Sequence, residues 1–235
     1  GGLHLIMDGA ALVTGLNVHS NTKIECLNRD CGFFLKSGSN RTIIENSDID
    51  YDARRNKNIS IISGTYNHNA KGQEHHIYVK DVKKGYGGGK RRFAGGEEHM
   101  SCVFALRMIG VENLLMRDLT IRNQRTYAML TCNFFNVVME NIFLDLPDKM
   151  HAQNQDGLHF HGPGQFLVMR NIAGDAGDDF IALAPDEHDC VSDITDVLID
   201  GVFLSNADQG IRLLSAEHGR LDRVTIRNVT GTYRS

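Results

Sequence analysis

The run Asn136-Val137-Val138-Met139-Glu140-Asn141-Ile142-Phe143-Leu144 holds two apolar bursts separated by a charged residue and an asparagine. The same pattern returns from Asn113 to Ile121, from Phe166 to Ile172, from Asp196 to Leu204 and from Arg223 to Val229. Arg41 to Asn46 carries it as well, and Asn58 to Gly64 is a looser copy. The central residues Met116, Met139, Met169, Ile199 and Ile226 are separated by 23, 30, 30 and 27 residues. No single burst can bury its own apolar face. Stacking the units buries one continuous core and pairs each strand with the coils above and below. The predicted fold is therefore all-β, a right-handed single-stranded parallel β-helix. A β-sandwich would show turn signals every ~8–12 residues without this long period. Asparagine after each burst tolerates the left-handed turn, and a stacked asparagine can hydrogen-bond the backbone of its neighbours.

Composition agrees with a solenoid. The chain has 235 residues, 41% of them hydrophobic, with 24 glycines, 3 prolines and no tryptophan. That length suits one domain, 1–235. A formal charge of −4 argues against nucleic acid as a partner. No apolar run reaches the ~18 residues that mark a membrane span. The chain opens on Gly1-Gly2, with neither a leader pattern nor a start methionine, which suggests a processed form or a fragment. Its last residues read as part of another coil, so terminal coils or caps are expected to be missing. An uncovered edge suits a monomer or a homo-oligomer that covers it. The five cysteines form no CxxC pair. Cys102 and Cys132 read as small buried side chains, and Cys26 and Cys31 as a candidate loop bridge.

The stretch 67–100 breaks the rhythm. Between Lys71 and Arg92, Lys71, Lys80, Lys83, Lys84, Lys90, Arg91 and Arg92 face only Glu74 and Asp81, among several glycines. It reads as a long basic, glycine-rich loop, either solvated or lying as a flap over a groove that takes an acidic polymer. No GxxxxGK[ST] pattern marks it as a phosphate loop.

The chemistry concentrates in Asn154-Gln155-Asp156-Gly157-Leu158-His159-Phe160-His161 and in Gly177-Asp178-Asp179. Asp156 and Asp178 are 22 residues apart, close to one coil. Neighbouring coils lie roughly 4.8 Å apart. Three carboxylates would thus share one face, and like charges that close raise at least one pKa. A protonated acid beside an ionised base is what glycoside hydrolysis requires. The same residues also suit a calcium site or plain solenoid turns. His159 and His161 fall on the same side of one strand, near the carboxylates. They read as groove-lining or as ordinary hydrogen-bonded histidines, and no metal or other cofactor is expected.

These motifs resemble the polygalacturonase-like family 28 glycoside hydrolases, within the pectin-lyase-like β-helix superfamily. An Asn-x-Asp coil followed about 22 residues later by Asp-Asp marks that family. Leu119 to Val137 is similar to its preceding coil, and Val197 to Arg212 to a coil ending in Arg-x-Lys. The resemblance covers roughly residues 100–230. It implies Asp178 as the general acid and Asp156 with Asp179 as the water-activating base, with inversion of configuration. Asn154, His159, His161 and Arg212 would contact substrate. Close stacking alone would suggest retention on the general separation rule.

Two departures stand out. No Gly-His-Gly lies between Asp179 and Arg212, and neither His188 nor His218 replaces it in order. Leu214 occupies the place of the family's lysine, whose cation would pair with a uronate carboxylate. A neutral, amino or differently held acidic sugar is therefore expected. The leading expectation is a polysaccharide-cleaving hydrolase, extracellular or at the cell surface. A glycan-binding module of a phage tail spike or appendage is the alternative, and a polysaccharide lyase is the third reading.

Overall fold

In a computed structural model of the chain, the described residues are all except 74–103, 148, 150–154, 188–191, 216–217 and 235. Sixteen strands form the body. The first eight are β1 (Leu3–Met7), β2 (Ala10–Val13), β3 (Leu16–Val18), β4 (Thr22–Cys26), β5 (Gly32–Leu35), β6 (Ile44–Asn46), β7 (Asn56–Ile62) and β8 (Thr65–Asn67). After a short 3₁₀ turn at Ala70–Gly72 come β9 (Leu106–Arg117), β10 (Thr120–Arg122), β11 (Met129–Asp145), β12 (Leu158–Asp175), β13 (Asp179–Ala184), β14 (Asp193–Ala207), β15 (Gln209–Leu213) and β16 (Arg220–Tyr233). Every pairing is parallel, and the chain winds as a right-handed parallel β-helix. Among the described residues no helix is long and apolar enough to cross a membrane.

The repeat sets the register of the longest face. Leu5, Ile24, Ile61, Met116, Met139, Met169, Ile199 and Ile226 stand opposite one another on successive coils. Met139, Met169 and Ile199 are fully buried in the main core. Burying each such side chain contributes about 1.5–3 kcal/mol. The copy at Arg41–Asn46 lies elsewhere. Its strand β6 pairs with β3 and with the first residues of β9, on a different face. Its spacing had no neighbour close enough to reveal this.

That other face positions the site. Leu16, Ile44, Leu106, Met129, Leu158, Ile181 and Ile211 form its inward row. The next residue of each strand points outward, because side chains alternate along a strand. The outward row therefore reads Asn17, Glu45, Arg107, Leu130, His159, Ala182 and Arg212.

The turn asparagines form two ladders. Asn58 donates to Asn21, Asn113 to Asn58 and Asn136 to Asn113, at 2.8, 3.0 and 2.7 Å. Asn141 donates to Asp118 and Asn171 to Asn141, at 2.8 and 3.0 Å. All of these residues have φ between 54° and 62°. The ladders run from side chain to side chain, where the sequence suggested bonds to neighbouring backbone. Left-handed turns stack one upon the next, so the amides meet first.

The candidate Cys26–Cys31 bridge does not form. Both are buried free thiols, as is Cys132. Cys31 instead turns its sulfur toward the Gly9 N–H, 3.1 Å away. Cys102 and Cys190 lie outside the described residues. So does most of the basic loop, whose described start is the end of β8 and the 3₁₀ turn.

Candidate functional site

Asp156 and Asp179 hold the same place on consecutive coils. Ala128 N–H donates to the Asp156 carbonyl, and Gly157 N–H donates to the Asp179 carbonyl. Gly157 is required between them, since a Cβ there would collide with the Phe180 carbonyl oxygen. Both side chains are 2% exposed. Their oxygens lie within 4.8 Å of each other and of a His159 nitrogen. On each, Oδ1 is buried without a hydrogen-bond partner. Asp178, next in the chain, is half-buried. Gln209 stands opposite Asp179 on the following coil.

Each buried aspartate has a cation at its other oxygen. Asp156 Oδ2 accepts from His159 Nδ1 at 2.7 Å. Asp179 Oδ2 accepts from Arg212 Nη1 at 3.1 Å. Burial pushes Asp156 up to about 6, with His159 opposing and Asp179 and Asp178 adding to the rise. Burial also raises Asp179, against the opposing Arg212 guanidinium. For His159, burial works against the charge. The bonds to Asp156 and Glu187 outweigh it and bring the imidazole up to about 10. The Asp156 and Glu187 carboxylates at its two nitrogens thus favour the doubly protonated ring.

Glu187 completes the cluster. It follows β13 in the turn Pro185-Asp186-Glu187 and folds back over the strand. Its Oε2 accepts from His159 Nε2 at 2.8 Å and from His161 Nε2 at 3.1 Å. Room exists because Ala182 and Ala184 stand opposite His159 and His161. Asp186 anchors the turn, its Oδ2 accepting the N–H groups of His218 and Gly219 at 2.7 Å each. Tyr127 lies flat on the His159 ring, 4.5 Å between centroids at 4°. His161 meets the same ring edge-on at 4.7 Å.

The structure brings together Asp156, Asp178, Asp179, His159, His161 and Arg212. Asn154 lies outside the described residues, as does His188. The two histidines are buried under Glu187, at 3% and 1% exposure, and both are hydrogen-bonded to it, in keeping with the reading of them as ordinary hydrogen-bonded histidines. Glu187 and Tyr127 escaped the sequence reading. A charged residue in a turn reads as solvated, and the tyrosine reads as core. The usable signal for Glu187 was the pair of alanines one coil beyond the pair of histidines.

No protein-family model and no curated protein matches the chain. Solved structures do. The family 28 exopolygalacturonase of Yersinia enterocolitica superposes with a TM-score of 0.67 at 18% identity, over 97% of this chain and 53% of that one. The hyperthermoactive exopolygalacturonase of Thermotoga maritima gives 0.62 at 15%, over 94% and 61%. The A-module of a mannuronan C-5 epimerase from Azotobacter vinelandii gives 0.52 at 11%, over 95% and 67%. The chain thus spans 53% and 61% of the two exopolygalacturonases it matches. At these identities the likeness is one of fold, and the chain has the parallel β-helix fold that these polygalacturonase-like and pectin-lyase-like structures share.

Proposed function

We propose that the protein is a glycoside hydrolase that cleaves a polysaccharide by general acid–base catalysis with inversion. The observation that carries this reading is the pair Asp156 and Asp179. Two buried carboxylates approach within 4.8 Å, each keeping one oxygen without a partner. A carboxylate oxygen without a partner is an acceptor for a water proton, which is what a general base must supply. Asp178 is the general acid in this reading, because it is the half-buried member beside the two buried carboxylates. The short Asp156–Asp179 distance is then internal to the water-activating pair. It is not the acid-to-base separation that governs stereochemistry, so close stacking does not argue for retention. The fold, shared with two exopolygalacturonases, supports a carbohydrate substrate. Leu214 leaves no cation at the family's lysine position, and one guanidinium nitrogen of Arg212 is taken by Asp179. Both favour a neutral or amino sugar, or an acidic sugar held another way. An extracellular or cell-surface location belongs to the same reading.

The test is a glycan panel with product analysis, comparing the wild type with Asp178→Asn. Wild type is expected to release reducing ends from one polysaccharide class. Asp178→Asn is expected to lose that release at least about 10²-fold, the usual contribution of a general acid, with circular dichroism unchanged. Equal activity in the variant would remove Asp178 from its role. The same Leu214 and Arg212 observations favour a second reading, a glycan-binding module. Saturable binding by wild type with no reducing ends after long incubation would establish it instead.

A further inference from the structure

We propose that His159, His161 and Glu187 form a site for one divalent transition-metal ion. It lies beside the aspartates but does not depend on their hydrolytic role. Residues i and i+2 of a strand point the same way, so β12 presents both imidazoles on its outward side. Both direct Nε2 at a single oxygen, Glu187 Oε2, at 2.8 and 3.1 Å. One ligand atom from each of the three residues falls within 4.8 Å of the others. Ligands around a tetrahedral ion at ~2.0–2.1 Å stand about 3.3–3.4 Å apart. A small outward shift of the Glu187 carboxylate therefore makes room for an ion between the three atoms.

The surroundings are those of a metal site. Asp156 Oδ2 holds His159 Nδ1 at 2.7 Å. A carboxylate behind a ligating imidazole holds it through Nδ1–H, and the ion takes the place of the Nε2 proton, which is released to solvent. Tyr127 stacked on the ring sets its plane. Asp186, bonded to the next coil, fixes the turn that carries Glu187. Two imidazoles and one carboxylate suit zinc, manganese, iron, cobalt or nickel, whereas calcium and magnesium prefer oxygen alone. Three protein ligands leave a fourth position open, as in catalytic rather than structural sites.

The chain would be stripped with a chelator and titrated with Zn²⁺ and Co²⁺ by calorimetry, with Co²⁺ also followed by its visible absorption. Ca²⁺ is the control. One equivalent of Zn²⁺ or Co²⁺ is expected to bind, with a four- or five-coordinate cobalt spectrum. His161→Ala and the conservative Glu187→Gln are each expected to weaken binding at least about 10-fold, the lower bound even for supporting residues. Circular dichroism would verify that each variant folds, and Glu187→Gln suffices if His161→Ala does not. The proposal fails if wild type binds neither metal at millimolar concentration. It also fails if only Ca²⁺ binds, or if a folded Glu187→Gln keeps wild-type affinity and spectrum. Sugar release enters none of these readouts, so this result and the hydrolase test stand apart.

Discussion

Arg212 reaches back across one coil to Asp179, its Nη1 donating to Oδ2 at 3.1 Å. The carboxylate is 2% exposed and the guanidinium 40%. The pair therefore joins a buried charge to a half-solvated one. Truncating a partner of a wholly buried pair costs about 3–5 kcal/mol, while exposed pairs are worth under about 1 kcal/mol. Arg212→Ala should fall between, at about 1–2 kcal/mol, because the remaining carboxylate keeps only burial without its cation. Denaturant midpoints measure this. Arg212→Lys should recover part of the loss, since it restores the charge but not the planar fork. If Arg212→Ala is as stable as wild type, the ion pair contributes nothing to the fold.

The position of Arg212 also shows what was legible in the sequence. The apolar bursts repeat with one anchor per coil, so Met116, Met139, Met169, Ile199 and Ile226 align by spacing alone, and they stack in that register. The 22 residues from Asp156 to Asp178 put both later aspartates on the next coil, but the residue that stands directly beyond Asp156 is Asp179, one position further on. Arg212 came from the family resemblance rather than from the count, and the pairing of β15 with β13 puts it one coil further on. Glu187 could not be reached this way. It sits past the end of β13 and acts by folding back, a geometry set by two alanines and by the Asp186 anchor rather than by strand periodicity. The Arg41–Asn46 copy was misplaced for a related reason. A burst shows that a strand exists, but one coil carries strands on several faces, and the burst does not say which.

The asparagine ladder gives a second prediction. Asn141 donates to Asp118 at 2.8 Å, accepts from Asn171 at 3.0 Å and has φ of 54°. Two separate contributions meet in one residue. Asn141→Ala loses both side-chain bonds and puts a Cβ without local hydrogen bonding into the left-handed region, which costs about 1–2 kcal/mol on its own. Asn141→Gly loses the same bonds but is relaxed at positive φ. The alanine variant should therefore be the less stable of the two by about 1 kcal/mol, and both should lie below wild type. Thermal or denaturant unfolding decides the order. A glycine variant less stable than the alanine variant would show that backbone conformation is not what the asparagine supplies.

His68 gives a prediction in pH. The ring is fully buried. Nε2–H donates to the Arg41 carbonyl at 3.1 Å, and Nδ1 accepts the Arg125 N–H at 3.0 Å. Burial brings its pKa from 6.5 down to about 4, with the nearby Arg125 charge acting in the same direction and the Arg41 carbonyl opposing. A second proton would sit on Nδ1 and face an N–H donor, so the native state keeps the ring neutral. Between about pH 6.5 and 4 the unfolded chain binds that proton and the folded chain does not. Stability must then fall as the pH falls through this window, by about 1.4 kcal/mol per unit and about 3 kcal/mol in all. Other groups titrate in the same range, so the measurement is a difference. Urea unfolding of wild type and His68→Gln at pH 7.5, 5.5 and 4.5 isolates it. The glutamine variant should be less stable at pH 7.5 because it cannot span both partners. It should also lose less stability on acidification, and the two proteins should converge by pH 4.5. Parallel pH profiles would mean that His68 takes up its proton in the folded state, against the geometry of its two bonds.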